Sequence, residues 1–236
     1  MAKIKKAKLT KLEIIQVATT MFLRKGYSST TVKAIADELD ISTGNLTFHY
    51  PAKEHMLAEL TDMLCGFQWQ MMKTEADEGI SSLLAICLEL TTLAAICRDN
   101  AIAKDFFVSS YQSQMCLDII HFNDTARAKK VFAEYCSDWT DMQFAEAEIL
   151  VAGIEYATLM ASDKDVPLDI RIAGALNQIM SIYNVPEKIR KIKIRKALAT
   201  DYISLGMRVI QGFIDYVEKA NEQAFEELLA SGNSKS

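Results

Sequence analysis

The chain has 236 residues, half of them hydrophobic, with only nine glycines and three prolines and a formal net charge of −5. So few turn formers favour long helices over many short strands. The five cysteines, odd in number and without a C-x-x-C spacing, argue against a disulfide framework or a zinc site and suit a reducing cytoplasm. No apolar run of membrane-spanning length occurs, and the basic start Met1–Leu9 leads into an amphipathic segment, so neither a membrane span nor a signal peptide is expected.

Charge is divided along the chain. Residues 1–57 carry nine Lys/Arg against five acids, a net +4, whereas the remainder is −9. The basic end would attract a polyanion. Within it, the arm Lys3-Ile4-Lys5-Lys6-Ala7-Lys8 can track phosphates or fray as a solvated terminus. Thr10 and Glu13 have capping-box spacing, with Leu9 and Ile14 as a hydrophobic staple, so a first helix is expected over 10–25, stopped at Gly26. Val32, Ile35, Ala36 and Leu39 give a short second helix behind Thr31 as N-cap. Asp40-Ile41 makes a turn, Ile41 plugging the gap between helices. Ser42 caps a third helix that must end before Pro51. Two short helices joined by a tight turn after a longer one describe a helix-turn-helix. On the third, Leu46 and Tyr50 share one face, while Thr43, Asn45, Thr47 and His49 point elsewhere as short polar groups able to meet bases or phosphates. Gly44 lets backbone approach DNA closely.

The run Gly26-Tyr27, Thr30–Ala36 and Ser42–Glu54, followed by Leu57, resembles without gaps the N-terminal signature of the tetracycline-repressor-like (TetR) family. The resemblance implies a third helix entering the major groove, Lys33 at a base or phosphate, Thr43, Gly44 and Asn45 at the leading end, His49 at backbone or base, and Lys53 at a phosphate. The candidate DNA contacts are thus Thr31, Lys33, Ser42, Thr43, Gly44, Asn45, Thr47, Phe48, His49 and Lys53. Thr47 departs from the family's usual tyrosine and is too short for its phosphate contact. Ala52 stands where the family has a capping residue.

Beyond the head, helices are expected over about 53–75, 80–98, 101–121, 125–136, 141–162, 168–183 and 187–229. Gly79, Asn123-Asp124, Asp163–Asp165 and Val185-Pro186 separate them, and Ser231–Ser236 forms a polar tail. The expected protein is all-α: a helix-turn-helix domain over 1–52, then a helical sensing and dimerisation domain over 53–230. The Met- and aromatic-rich stretches suggest an adaptable cavity, with Phe67, Met71, Phe106, Tyr111, Met115, His121, Tyr156 and Met160 as candidate lining, and Gln112, Gln114, Trp139 and Glu155 as further polar contacts. An apolar or amphipathic effector is expected, and a charged one is not, since those stretches hold few ionisable groups. Lys188–Lys196 is basic all round its helix, which suits a solvated surface. Two stripes, Ile172, Leu176, Ile179 and Tyr183, then Val209, Phe213 and Val217, are the expected faces of a homodimer on pseudo-palindromic operator DNA. No cofactor or metal is expected, and no G-x-S-x-G, P-loop or H-E-x-x-H marks an enzyme.

Overall fold

The computed structural model describes residues 2–77, 79, 81–164 and 166–233, with side chains for 10–71, 74, 79, 81–164 and 166–227. Among the described residues there are eleven helices and no strand. They are α1 (Ala2–Lys25), α2 (Val32–Glu38), α3 (Thr43–His49), α4 (Lys53–Asp77), α5 (Ser82–Asp99), α6 (Ala101–Gln112), α7 (Gln114–Val131), α8 (Asp141–Met160), α9 (Leu168–Ile182), α10 (Glu187–Leu198) and α11 (Tyr202–Asn233). None of the described helices is long and apolar enough to cross a membrane.

The expected all-α architecture holds, and several boundaries move. α1 begins at Ala2, so Thr10 lies inside the helix rather than capping it. The expected helix over 101–121 breaks at Ser113, whose extended backbone (φ −96°, ψ 122°) ends α6 with no glycine or proline to announce it. The expected break at Asn123-Asp124 does not occur. Asn123 donates to the Ile119 carbonyl at 3.0 Å and Asp124 pairs with Arg127 one turn on, so both polar groups are satisfied within α7. The expected helix over 187–229 divides at Ala199–Asp201, where the Asp201 carboxylate accepts from the Ser204 N–H at 3.2 Å and starts α11.

α5 is the central helix of the body. Buried residues surround most of its circumference, from Leu83 through Cys97, and α4, α6, α8, α9, α10 and α11 all pack on it. Its buried Thr91 and Thr92 return their hydroxyls to the Cys87 and Leu88 carbonyls one turn back, which removes the cost of placing them there. α4 carries Met56, Leu57 and Leu60 into the head and Phe67 into the body, so one helix spans both. All five cysteines are free and buried.

The residues expected at a dimer interface belong instead to this core. Ile172, Leu176, Ile179 and Tyr183 are buried within the chain, where α9 meets α5, α8 and α10. Phe213 and Val217 are equally buried, where α11 crosses α5 and α1; Val209 is half-buried on the same face. Helical apolar spacing reports which face is inside, not whether a second chain covers it.

Candidate DNA-facing helix and body cavity

The head is built to hold α3 outward. Thr31 caps α2 by accepting from the Ala34 N–H at 3.0 Å, and Ser42 caps α3 by accepting from the Asn45 N–H at 3.1 Å. Between them Asp40 takes a left-handed φ of 51°, a conformation that Asp tolerates in tight turns. Leu46 and Tyr50 anchor α3 in the core. The Tyr50 hydroxyl donates to Glu59 of α4 at 2.8 Å, and Glu59 in turn holds Lys11 of α1 at 3.0 Å. With that face buried, Thr43, Gly44, Asn45, Thr47 and Phe48 are exposed together, and Phe48 is 79% exposed. An apolar side chain so exposed on a polar helix face suits a thymine methyl. His49 is half-buried with its ring edge-on to Phe48, 5.2 Å between centroids. Thr47 donates to the Gly44 carbonyl at 3.2 Å, so its hydroxyl proton is already used. Lys33 is exposed on α2.

Lys53 is placed differently. Its ammonium donates to the Tyr27 and Thr30 carbonyls at 2.8 and 2.9 Å and sits 4.0 Å from the centre of the Tyr27 ring. Burial lowers its pKa. Two of its three N–H groups thus tie the loop after α1 to the start of α4, and one is left for any other partner. The same loop is held from the other side by Asp105 of α6, which accepts from the Ser28 N–H at 2.7 Å and from its hydroxyl. Gly26 begins the loop at φ +94°, where a Cβ would stand 3.0 Å from the Asp105 carboxylate.

Within the body, α4, α5, α6 and α11 line a partly open cavity of about 50 Å³. Its wall is chiefly apolar: Leu64, Phe67 and Met71 of α4, Leu88, Leu93 and Ile96 of α5, Phe107 of α6, Leu205 and Val209 of α11. A second partly open cavity of about 50 Å³ shares Gln68, Ile86, Glu89 and Leu93 with it and extends to α7, α8 and the end of α9. This second chamber is polar. Arg127 forms ion pairs with Glu89 and, at 3.3 Å, with Asp124. Glu155 accepts from the Tyr111 hydroxyl at 2.7 Å, Glu148 from the Tyr183 hydroxyl, and Glu89 from Gln68 at 2.6 Å. Burial pushes Asp124 up to about 6, Glu148 to about 7 and Glu155 to about 8; the negative charge of Asp124 adds to the rise at both glutamates, and the tyrosine hydrogen bonds oppose it.

Residues 14–60 match the family described as bacterial regulatory proteins, tetR family. The head belongs to that family. Over 66 residues the chain is 39% identical to the HTH-type transcriptional repressor KstR2 of Mycolicibacterium smegmatis, covering 26% of this chain and 32% of that protein. Over 80 residues it is 32% identical to the uncharacterized HTH-type transcriptional regulator YuxN of Bacillus subtilis, covering 34% of this chain and 28% of that one. The chain therefore spans about a third or less of the curated relatives it matches. Among solved structures, a gamma-butyrolactone receptor (ArpA-like protein) is 20% identical with a TM-score of 0.41, covering 87% of this chain and 98% of that one. CprB from S. coelicolor A3(2) has the same identity and coverage with a TM-score of 0.43.

For the tetR-family head, the sequence places the exposed helix and its caps where the structure has them. The body is less well anticipated. Of the eight residues expected to line a cavity, Phe67 and Met71 line the apolar chamber and Tyr111 the polar one. Phe106 is core, packed on Phe107 and Phe213, and Met115 and Met160 are exposed. Tyr156 accepts from Gln112 near the surface, and His121, half-buried on α7, lines neither chamber. Glu155, expected only as a polar contact, lines the second chamber; Glu89, Asp124, Arg127 and Glu148 were not foreseen. A legible signal existed: Glu148 and Glu155 stand seven apart, two turns along one face of α8, on either side of the apolar stretch Ile149–Ile154.

Proposed function

We propose that this chain is a DNA-binding transcriptional regulator that represses by occupying an operator and releases it when a small amphipathic molecule fills the body cavity. The observation that carries the DNA-binding reading is the exposed α3 surface of Thr43, Gly44, Asn45, Thr47 and Phe48, held outward by buried Leu46 and Tyr50 in a tetR-family head. One such helix reads only a few base pairs, so a homodimer on a pseudo-palindromic cytoplasmic operator follows. The experiment is selection of bound duplexes from a random pool, which is expected to return a two-fold motif. Asn45→Ala is expected to change the preferred base at one position per half-site, at a cost of about 1–3 kcal/mol. Recovery of no motif at moderate salt would overturn the reading.

Release works through a population shift: a ligand must bind the DNA-incompetent shape better than the competent one. α6 and α4 supply the link. α6 lines the chambers with Phe107 and Tyr111 and clasps the head loop through Asp105; α4 lines them with Phe67 and Gln68 and enters the head at Lys53. The cavity favours this reading over a scaffold whose body binds only another protein.

A further inference from the structure

The polar chamber places carboxyl groups where burial makes charge costly. Four carboxyl groups, Glu89, Asp124, Glu148 and Glu155, line it together with one base among its described lining residues, Arg127. Arg127 is ion-paired with Glu89 and Asp124, so that among the described residues Glu148 and Glu155 each have a tyrosine hydroxyl and no cation within 4 Å, although the Arg127 charge still reaches both. An apolar side chain at either position would fill the same space without the desolvation cost of a carboxylate. A second feature is independent of the acids: Arg127, whose side chain is 6% exposed, carries a buried Nε–H with no hydrogen-bond partner in the structure. A buried donor without a partner costs about 1–3 kcal/mol and points to an acceptor that arrives from elsewhere. No three Asp, Glu, His or Cys side chains among the described residues are grouped as metal ligands are.

We propose that the two adjoining chambers form one site for an amphipathic organic amine. Its ammonium lies between Glu148 and Glu155, an acceptor oxygen beside that nitrogen meets Arg127 Nε–H, and its hydrocarbon body runs past Leu93 toward Phe67 in the apolar chamber. The tyrosine rings of the polar chamber, at 111 and 183, add faces on which a cation is stabilised. Binding is coupled to a proton: a glutamic acid that is protonated in the empty site ionises against the ammonium, and the proton leaves to solvent. The groups facing this exchange are Glu89 of α5, Asp124 and Arg127 of α7, Tyr111 of α6, Tyr183 after α9, and Cys65 of α4 behind Asp124. The inference names the ligand class for the cavity of the effector reading and rests on that reading for its consequence at the operator.

The test uses the full chain without DNA and four probes that share one phenylhexyl body: 6-phenylhexylamine, 1-amino-6-phenylhexan-2-ol, 6-phenylhexanol and 6-phenylhexanoate. Calorimetry at pH 7.5 is expected to rank the amino alcohol first and the simple amine second, each at least tenfold above the alcohol, with the carboxylate weakest. Measured in phosphate and in Tris, whose ionisation enthalpies differ, the amines should show net proton release. Glu148→Gln and Glu155→Gln keep shape and can still meet the tyrosines. Each should cut the amine-to-alcohol ratio about tenfold with alcohol affinity unchanged, whereas a merely structural role would move both probes together. Equal binding of amine and alcohol, preference for the carboxylate, or no amine binding at millimolar concentration would overturn the proposal. Operator titration with each bound probe then separates the two readings. Amines that bind but leave operator affinity unchanged defeat the effector reading and leave the site standing. Release by the neutral probe alone does the reverse.

Discussion

Lys53 and the buried glutamates show how far a residue's role depends on what surrounds it. A lysine at the start of α4 in a basic head suggests a phosphate contact, yet its ammonium is turned onto two carbonyls of the loop after α1. Lys53→Ala is therefore expected to destabilise the head by about 2 kcal/mol through loss of hydrogen bonds to a charged donor. The slope of operator affinity against salt should stay the same; a slope lower by about one unit would show that the lysine also meets a phosphate. The glutamates make a pH prediction. Glu148 and Glu155 rise from 4.5 to about 7 and 8 on folding, so between those limits the folded chain holds more protons than the unfolded one. Stability from this source falls as pH rises through that window. Thermal unfolding of the free protein should occur at higher temperature at pH 6 than at pH 8.5, and the Glu148→Gln/Glu155→Gln double variant should flatten the difference. An unchanged slope in the double variant would assign the pH dependence elsewhere. Neither role was legible from residue type alone, because both depend on partners 23 to 44 positions away.

At the scale of elements, the sequence was most informative where local chemistry decides the outcome. The caps Thr31 and Ser42 accept from backbone N–H groups of their own helices, Gly26 takes the positive φ that ends α1, and Ile41 packs part-buried against the core. It was least informative where tertiary contacts decide. Ser113 breaks a helix with no breaker present, and α7 continues through Asn123-Asp124 because each side chain finds a partner inside the helix. The element with most to say about mechanism is α6. It packs on α1, lines both chambers and holds the Ser28 loop through Asp105, while Lys53 grips the same loop from α4. Asp105→Ala should leave the helix content unchanged, speed amide exchange at Ser28 and weaken operator binding about tenfold, the cost of losing a hydrogen bond to a charged group that fixes the head against the body. If Ser28 exchange speeds up without any change at the operator, this clasp is not part of the coupling.

At the scale of the whole molecule, the proposed homodimer requires an apolar surface that faces outward. The stripes that periodicity offered are interior, but α8 and α9 lie side by side and present a second set of apolar groups outward. On α8 these are Met142 (78% exposed), Ile149 (60%) and Leu150 (56%), continuing through Gly153 and Ala157 on the same face; on α9 they are Ile170 (60%) and Gly174. A Cβ at either glycine would meet nothing within 4 Å, so both open outward from the chain. Exposed apolar groups on two adjacent helices, with small residues that let backbones approach, suit a two-fold contact in which each copy supplies the same pair. Such a dimer holds two heads at a fixed separation, as a palindromic operator needs. Sedimentation should give twice the 26.4 kDa of the chain. Ile149→Glu/Leu150→Glu should give a folded monomer whose operator affinity falls at least a hundredfold, because each head then binds its half-site alone. Phe213→Ala discriminates between the two faces. Packed against Phe67 and Phe106 inside the chain, it should cost about 3–5 kcal/mol of stability and leave the remaining folded protein dimeric. If Phe213→Ala yields monomers while the α8 variant stays dimeric, the contact runs through α11 after all, and the exposed face of α8 and α9 needs another occupant.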